Sequence, residues 1–268
     1  MTPQPEPDPA PPARRADLDL AVAVAREAGE ATLHWFATRD LAVDTKADGT
    51  PVTAADRAAE RLVRERLAMH APGDGVLGEE EPETAGTTGR RWIVDPVDGT
   101  KAFTRGVPLY STLLALDDEH GPAVGVIVLP ALGRAVYAGR GLGCWSDGQP
   151  ARVSATASLD GAWLTTSSYS HWPDDSLLAV KHAGCHLRTW GDGYGYALVA
   201  TGRCDAMVDP TVERYDVAAM PVILSEAGGR FTSVDGRPGA GGGSGVATNG
   251  AVHDELLALL ASGSDPVL

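Results

Sequence analysis

The residues whose types and spacing could do chemistry lie in Trp92-Ile-Val-Asp95-Pro-Val-Asp98-Gly99-Thr100, with Gly78-Glu79-Glu80 just before it in the chain. Three apolar residues before an acidic turn predict a short buried strand. Such a strand carries Asp95 and Asp98 to its carboxyl end, where open α/β sheets bind ligands. Two carboxylates this close repel each other unless one binds a proton or a cation lies between them. A small cluster of oxygen ligands favours Mg²⁺ or Mn²⁺ over Zn²⁺.

Gly99 and Thr100 follow the two acids and predict a tight turn with free backbone N–H groups and a hydroxyl. Such groups suit a phosphate bound beside a metal ion. We therefore interpret the stretch as a metal-dependent phosphate-ester site. The alternative is an ordinary turn, since Asp and Gly are common turn formers.

Composition limits the classes of protein that fit. The chain has 268 residues, ordinary apolar content and a formal charge of −14, which predicts one large or two closely packed α/β domains. An acidic chain is a poor general binder of nucleic acid or anionic membrane. No apolar run is long enough to span a bilayer, and the amino terminus lacks a signal pattern. The three cysteines are odd in number and lack CxxC spacing, which favours reduced thiols in a cytoplasmic protein.

The elements that must position the acids begin after a Pro- and Ala-rich tail at residues 1–15. Apolar residues at helical spacing predict a helix over residues 17–36. A second helix follows Thr53, and Asp56 three residues later fits an N-cap pairing in its first turn. The functional alternative is that Asp56 also faces the acidic cluster and pairs with the hydroxyl of Thr100.

After the acidic stretch, residues 109–116, 125–129 and 135–138 predict strands separated by turns, so the first half should hold helices against a mostly antiparallel sheet. The segment Gly139-Arg-Gly141-Leu-Gly143 has the glycine spacing of a nucleotide loop. No helix follows it and no ribose-binding acid lies at the expected distance, so we interpret it as a hairpin.

A polar, strand-poor stretch near residues 150–160 predicts a boundary between an N-terminal part, residues 16–150, and a C-terminal part, residues 151–268. Strands alternate with helices in the second part, which predicts an α/β arrangement that completes the active site. One predicted helix covers residues 217–227, with Asp216 at its start as either a cap or a ligand. The seven histidines lack ligand spacing and are predicted to lie on the surface.

Four separated motifs together resemble those of the inositol-monophosphatase-like family, in the same order and over nearly the whole chain. They are Gly78-Glu79-Glu80, Asp95-Pro-Val-Asp98-Gly-Thr100, Pro51-Val-Thr53-Ala-Ala-Asp56 and Tyr215-Asp216-Val-Ala-Ala. The resemblance implies a layered αβαβα sandwich of mixed α+β and α/β character, and a homodimer. It also implies two or three Mg²⁺ ions, with Mn²⁺ as a substitute, held by Glu79, Asp95, the backbone carbonyl of Val97, Asp98 and Asp216. Tyr215 departs from the family pattern, which commonly has Trp there.

Within the family, the chain is most similar to the histidinol-phosphatase branch. The similarity lies in Asp98-Gly-Thr-Lys101-Ala-Phe-Thr-Arg105 and in Gly191-Asp192-Gly-Tyr194-Gly-Tyr196. It implies hydrolysis of L-histidinol phosphate in histidine biosynthesis, with inositol-1-monophosphatase or a broad sugar-phosphate phosphatase as alternatives. An acidic rim would suit the ammonium and imidazole of that substrate. The predicted substrate contacts are therefore Asp192 and Glu213, whose alternative role is helix capping, together with Lys46.

The expected reaction is in-line attack of a water on phosphorus. Thr100 and Asp56 would orient this water and accept its proton, Glu79 would act beside the ions, and Gly99 and Thr100 would hold the phosphate oxygens.

Two rival interpretations use the same residues differently. A haloacid-dehalogenase-type phosphatase has Asp-x-Asp-Gly-Thr, but here two residues separate Asp95 from Asp98. The extra residue breaks the period of two that points both side chains the same way along a strand. The other rival is a regulatory or binding protein that keeps the fold without turnover.

Overall fold

The computed structural model describes residues 10–38, 42–45, 49 and 51–262. Its helices, numbered in chain order, are α1 Arg15–Thr32, α2 Ala54–His70, α3 Thr100–Thr104, α4 Asp174–His182, α5 Asp192–Ala200, α6 Arg214–Val217, α7 Met220–Glu226 and α8 His253–Ser262. Its strands are β1 Val43–Thr45, β2 Pro51–Thr53, β3 Gly75–Gly78, β4 Arg91–Asp98, β5 Ser111–Asp118, β6 Gly121–Leu129, β7 Arg134–Gly139, β8 Gly143–Ser146, β9 Gln149–Pro150, β10 Trp163–Thr165, β11 His186–Arg188, β12 Ala206–Asp209, β13 Arg230–Thr232 and β14 Gly245–Thr248.

The first half forms a seven-stranded sheet in the order β3-β4-β5-β6-β7-β8-β9. Every pair is antiparallel except β3 with β4, as the turn-separated strands predicted. Side chains of β4 alternate between its two faces. Trp92 and Val94 pack with the helices α1 and α2, whereas Ile93 packs with α5 and α7 on the other face. Both faces of the sheet are therefore covered by helices.

The second half forms a five-stranded mixed sheet in the order β11-β10-β12-β14-β13. One face packs on α5 and α7, and the other packs on α4 and α8 through Leu164, Val180 and Leu256. The layers are thus α1/α2, the first sheet, α5/α7, the second sheet and α4/α8. This confirms the predicted αβαβα sandwich.

Two predicted helices have different bounds in the structure. The first ends at Thr32 and continues as turns over residues 33–37, where Ala37 has a positive φ of 59°. The helix predicted over residues 217–227 is instead two helices, α6 and α7. Pro221 lies in the first turn of α7, where its missing N–H is tolerated but could not continue a preceding helix.

The end of the predicted tail is part of the packed structure. Ala13 is buried, and its N–H donates to the Arg140 carbonyl at 2.8 Å. The Arg140 guanidinium in turn donates to the Pro11 carbonyl. Helix α1 begins at Arg15, so residues 11–15 belong with the first sheet, while residues 1–9 and the predicted contact Lys46 lie outside the described residues.

The surface prediction is wrong for one histidine. His253 is fully buried, and its ring nitrogens lie 2.9 Å from the Thr248 hydroxyl and 3.1 Å from the Thr232 hydroxyl. Burial lowers the pKa of His253 to about 4. The ring is therefore a neutral packing residue at the start of α8, whereas the other six histidines are exposed.

None of the helices in the described part of the chain has both the length and the apolar character needed to cross a bilayer.

Candidate active site

The site is built on the end of β4, where the strand departs from regular pairing. Asp95 lies opposite Leu113 and Asp98 lies opposite Ser111, so three steps on β4 match two on β5. This β-bulge adds one residue, and Pro96, which has no N–H for the ladder, lies within it. The extra residue reverses the alternation, which is why Asp95 and Asp98 face the same central helix layer despite their odd spacing.

Three carboxylates from the two halves of the chain meet at this point. Oxygens of Asp95, Asp98 and Asp216 all lie within 4.8 Å of one another. Glu79, the other predicted carboxylate ligand, follows β3 and lies close enough to Asp95 for the two acids to interact. Burial, together with repulsion from Glu79, Asp98 and Asp216, raises the pKa of Asp95 well above its usual range.

Asp98 and Asp216 experience the same effects. Burial first, then the neighbouring charges of Asp192 and Asp216, raises the pKa of Asp98 well above the usual range. Burial and nearby acids raise the pKa of Asp216 to about 7. Hard divalent cations bind clustered carboxylate oxygens and would neutralise this repulsion, so the residues fit an oxygen-ligand metal site.

Asp98 is held in place by groups from two other elements. One carboxylate oxygen accepts the Ser111 hydroxyl of β5 and the Gly193 N–H of α5, the latter at 2.6 Å. Gly193 leaves no room for a side chain, since a Cβ there would lie 2.2 Å from Ser111 Oγ and 2.9 Å from Asp98 Oδ2. The start of α5 is thus in direct contact with a predicted metal ligand.

Asp216 and Glu213 form a capping box at the start of α6. Each side chain accepts the backbone N–H of the other, and the Glu213 N–H lies 2.8 Å from Asp216 Oδ2. Asp216 is therefore both a cap and a member of the acidic cluster. Glu213 is exposed and occupied in capping, the alternative role given to it from the sequence.

The turn after β4 has the geometry expected of Gly99 and Thr100. Gly99 has φ +80° and caps α3, and this left-handed conformation favours glycine. The hydroxyl of Thr100 donates to the Val97 carbonyl at 3.0 Å. This is a different acceptor from Asp56, with which the sequence predicted that Thr100 would pair.

Asp56 lies in the first turn of α2 as predicted. Its Oδ2 accepts the Thr53 N–H at 2.8 Å, and the Thr53 hydroxyl accepts the Ala55 N–H, which confirms the capping box. Ala55 packs with Val97 and Phe103 in a buried cluster, so this first turn lies against the end of β4.

Asp192, a predicted substrate contact, lies beside the Gly99 turn. A Cβ on Gly99 would be 2.8 Å from Asp192 Oδ2. The backbone of Asp192 has φ 54°, and burial, with the nearby charge of Asp209, raises its pKa to about 6. The half-buried carboxyl of Asp192 is therefore close both to the acidic cluster and to the turn formed by Gly99 and Thr100.

Sequence reasoning missed the residues that hold Asp192. The Ser167 hydroxyl accepts the Asp192 N–H at 2.8 Å and donates to Asp209, which also accepts from Tyr196. Asp209 ends β12, so the signal that found Asp95, an acid directly after a buried strand, could have found it. Ser111 and Ser167 carry no comparable signal.

Comparisons with known proteins agree with this geometry. The sequence profile of the Inositol monophosphatase family matches residues 14–264. A histidinol-phosphatase of Mycobacterium tuberculosis is 47% identical over 250 residues, covering 90% of this chain and 96% of the relative. One from Streptomyces coelicolor is 41% identical, covering 88% and 94%.

Solved structures show the same fold. The Thermotoga maritima IMPase superposes with a TM-score of 0.83 and 29% identity, covering 92% of this chain and 98% of that one. The family profile spans most of the chain, and the relatives above are phosphomonoester hydrolases by name. The chain is therefore a phosphomonoesterase that belongs to the inositol monophosphatase family.

Proposed function

We propose that the protein is a Mg²⁺-dependent phosphatase that hydrolyses L-histidinol phosphate to L-histidinol and phosphate, in histidine biosynthesis. The observation that carries the proposal is the convergence of Asp95, Asp98 and Asp216 at the end of β4, beside a further acid, Asp192. The identity of 41–47% to the two histidinol-phosphatases supports the choice of substrate.

The ions would be held by Glu79, Asp95, the Val97 carbonyl, Asp98 and Asp216, with Mn²⁺ as a substitute for Mg²⁺. When bound, the metal lowers the pKa of a water and neutralises charge on the phosphate and the leaving oxygen. A carbonyl oxygen has two lone pairs, so the contact between Val97 and Thr100 is compatible with Val97 as a ligand.

The chain's own residues then have separate tasks. Asp56 accepts a proton from the attacking water and Thr100 orients that water, with Glu79 beside them. The N–H groups of Gly99 and Thr100 bind phosphate oxygens. A bond forms between the water oxygen and phosphorus, and the bond from phosphorus to the substrate oxygen breaks. The leaving alkoxide takes up a proton from solvent water, and Asp56 then returns its proton to solvent.

Substrate selection would rest on charge. L-Histidinol phosphate carries an ammonium group, and the Asp192 carboxylate lies within the site to accept a charged hydrogen bond from it. Glu213 and Lys46 stay predicted contacts, although Glu213 has a capping role of its own.

Inositol 1-phosphate is the second candidate substrate, favoured by the close structural similarity to the Thermotoga maritima IMPase. It offers hydroxyl groups but no cation, so Asp192 would give it less binding energy than it gives an ammonium.

Phosphate release from both esters, measured side by side with Mg²⁺ and with a chelator, tests the proposal. We expect Mg²⁺-dependent hydrolysis with higher kcat/KM for the histidinol ester. A preference for inositol 1-phosphate would overturn the substrate, and hydrolysis that survives the chelator would overturn the metal dependence. A protein that hydrolyses neither ester would be the regulatory alternative.

We also propose a homodimer, which the family resemblance implies and which light scattering would show as about twice the 27.8 kDa chain mass. A cytoplasmic location is supported by the three free cysteines, since the cytosol keeps thiols reduced.

A further inference from the structure

Glu60 lies on α2, outside the acidic cluster, and its side chain is completely buried. Burial of a carboxylate costs several kcal/mol unless it is paired and hydrogen-bonded. The partners of Glu60 show what it is bonded to, and they lie in the segment that carries a predicted metal ligand.

Two backbone N–H groups of the acidic turn donate to Glu60. The Glu80 N–H lies 2.8 Å from Oε2, and the Glu81 N–H lies 3.1 Å from Oε1. Both residues directly follow Glu79. The Glu60 carboxylate therefore binds the backbone of the turn on the carboxyl side of Glu79.

Arg64, one turn further along α2, completes this anchor. It donates to Glu60 Oε1 at 2.9 Å, to the Glu81 carbonyl at 3.0 Å and to the Thr84 hydroxyl at 3.0 Å. The planar guanidinium makes these contacts in several directions, which a lysine could not reproduce. The pair Glu60–Arg64 thus clamps both polar groups of the Glu81 backbone.

Gly78 shows how closely the turn approaches Glu60. A Cβ at this position would lie 2.1 Å from Glu60 Oε1 and 2.6 Å from Oε2. Gly78 is also the last residue of β3 in register with β4, opposite Val94. The pairing of β3 with β4 therefore ends at Gly78, one residue before Glu79. The hydrogen bonds to Glu60 begin at Glu80, one residue after it.

We propose that Glu60, supported by Arg64, is a positioning residue that holds Glu79 against Asp95 so that the acidic cluster is preorganised for the metal. The inference rests on the proposed function, in which Glu79 is a ligand. Removal of a residue that orients a metal ligand typically lowers metal affinity or activity by about 10–100-fold.

Glu60→Gln tests the proposal because it keeps the size of the side chain and removes one acceptor. The two carboxylate oxygens of Glu60 accept from Glu80, Glu81 and Arg64. An amide has only one oxygen, so at least one of these N–H groups loses its acceptor. The measurement is a Mn²⁺ titration of the metal-free protein, with the free ion followed by electron paramagnetic resonance. We expect the Kd for Mn²⁺ to rise about 10–100-fold.

Asp17→Asn is the matched control for a purely structural role. Asp17 is also a buried helix carboxylate, paired with Arg14 and Arg90, but Arg90 precedes β4 and so lies at the end opposite the acidic cluster. This variant should lower Tm and leave Mn²⁺ affinity unchanged. Affinity lost in step with Tm in both variants would overturn the positioning role.

A folded Glu60→Gln protein that binds Mn²⁺ as tightly as the native protein would also overturn it. If that variant does not fold, Arg64→Lys replaces it, with weaker Mn²⁺ binding expected and unchanged binding contradicting the proposal. Native protein that binds no Mn²⁺ would instead refute the proposed metal site itself, so the two failures are distinguishable.

Discussion

At the scale of single residues, Asp95 is a buried acid with three acidic neighbours. Burial and repulsion from Glu79, Asp98 and Asp216 act on the same carboxyl. These neighbours come from β4, from α6 and from the turn after β3, so Asp95 lies where the predicted ligands of all three meet. Removal of its charge should therefore weaken binding of a cation by the whole cluster.

Asp95→Asn should therefore lower both Mg²⁺ affinity and turnover. Loss of several kcal/mol of transition-state stabilisation corresponds to a fall in kcat on the order of 1,000-fold. Steady-state kinetics over a range of Mg²⁺ concentrations measures both effects. The exposed Asp235→Asn is the control and should behave as native; near-normal turnover of Asp95→Asn at ordinary Mg²⁺ would refute the mechanism.

Asp192→Asn should act on substrate binding more than on the chemistry. Asn tolerates the positive φ of 54°, so the backbone should be unchanged. A hydrogen bond to a charged group contributes about 1.5–3 kcal/mol, so KM for L-histidinol phosphate should rise about 10–100-fold, with a smaller rise for inositol 1-phosphate. Equal effects on the two esters would remove Asp192 from the specificity determinants. Glu213→Gln is a useful comparison: a larger rise in KM for the histidinol ester would support its predicted substrate contact, whereas a loss of stability alone would leave it only the capping role.

Whether a site residue could be identified from the sequence depended on the local pattern around it. Asp95 and Asp98 stand out because acids directly after an apolar strand are easily recognised, and Asp216 was proposed through the family resemblance. Ser111 and Ser167 were missed because a serine gains its role only from what lies across the fold, as the contacts with Asp98 and Asp209 show.

At the scale of elements, the bulge in β4 explains why the site differs from a regular strand end. Period-two alternation alone predicts that Asp95 and Asp98 point to opposite faces. The geometric argument used against the haloacid-dehalogenase rival was therefore wrong, because the bulge turns both side chains the same way, and it is the family match that argues against that rival. The sequence offered no direct sign that β4 would bulge at this point. The break between α6 and α7 was missed although Pro221 was visible, since the apolar residues on both sides share a helical period.

The junction between α5 and β4 gives a prediction at this scale. Gly193→Ala would place a Cβ 2.2 Å from Ser111 Oγ, which must push α5 away from Asp98. Overpacking typically costs about 1–3 kcal/mol of stability. A displacement of about 1 Å at a catalytic group costs about 100-fold in rate, so activity should fall more than Tm suggests.

Gly241→Ala is the matched control, since a Cβ at that position meets nothing within 4 Å. Thermal denaturation and kinetics on the two variants make the comparison. Native-like activity of a folded Gly193→Ala protein would show that the contact between α5 and Asp98 does not position the site.

At the scale of the whole molecule, the buried acids should link stability to pH and to the metal. Burial raises the pKa of Asp216 to about 7 and of Asp192 to about 6, from 3.8. At pH values between 3.8 and these raised pKa values, the two carboxyls of the folded, metal-free protein keep protons that the unfolded chain has already lost. These acids should therefore lower stability as pH rises from about 4 to about 7, and His253, whose pKa burial lowers to about 4, opposes the trend only in part.

Mg²⁺ should reverse this trend, because it pairs with the ionised carboxylates. At about 100 times its Kd, a ligand of the folded state stabilises by about 2.7 kcal/mol, a rise in Tm of roughly 5–10 °C for a chain of this size. Thermal denaturation at pH 5 and pH 8, with Mg²⁺ and with a chelator, should show a larger gain at pH 8. An equal gain at both pH values would contradict the linkage.

The kind of elements in each half could be predicted from its own pattern, a meander in the first half and alternating strands and helices in the second. The order of the layers was predicted only through the family resemblance. How the halves meet could not be predicted from spacing alone. Asp216 lies 118 residues after Asp98 in the chain, yet their oxygens are within 4.8 Å. That contact depends on α5 and α7 packing between both sheets.

The central claim is that the two halves converge on one metal centre. Anomalous diffraction from a crystal soaked in Mn²⁺ tests it most directly. We expect anomalous peaks about 2.0–2.6 Å from carboxylate oxygens of Asp95, Asp98 and Asp216, the range over which hard cations bind oxygen. Mn²⁺ bound elsewhere, with no peak among these three residues at saturating concentration, would contradict the account.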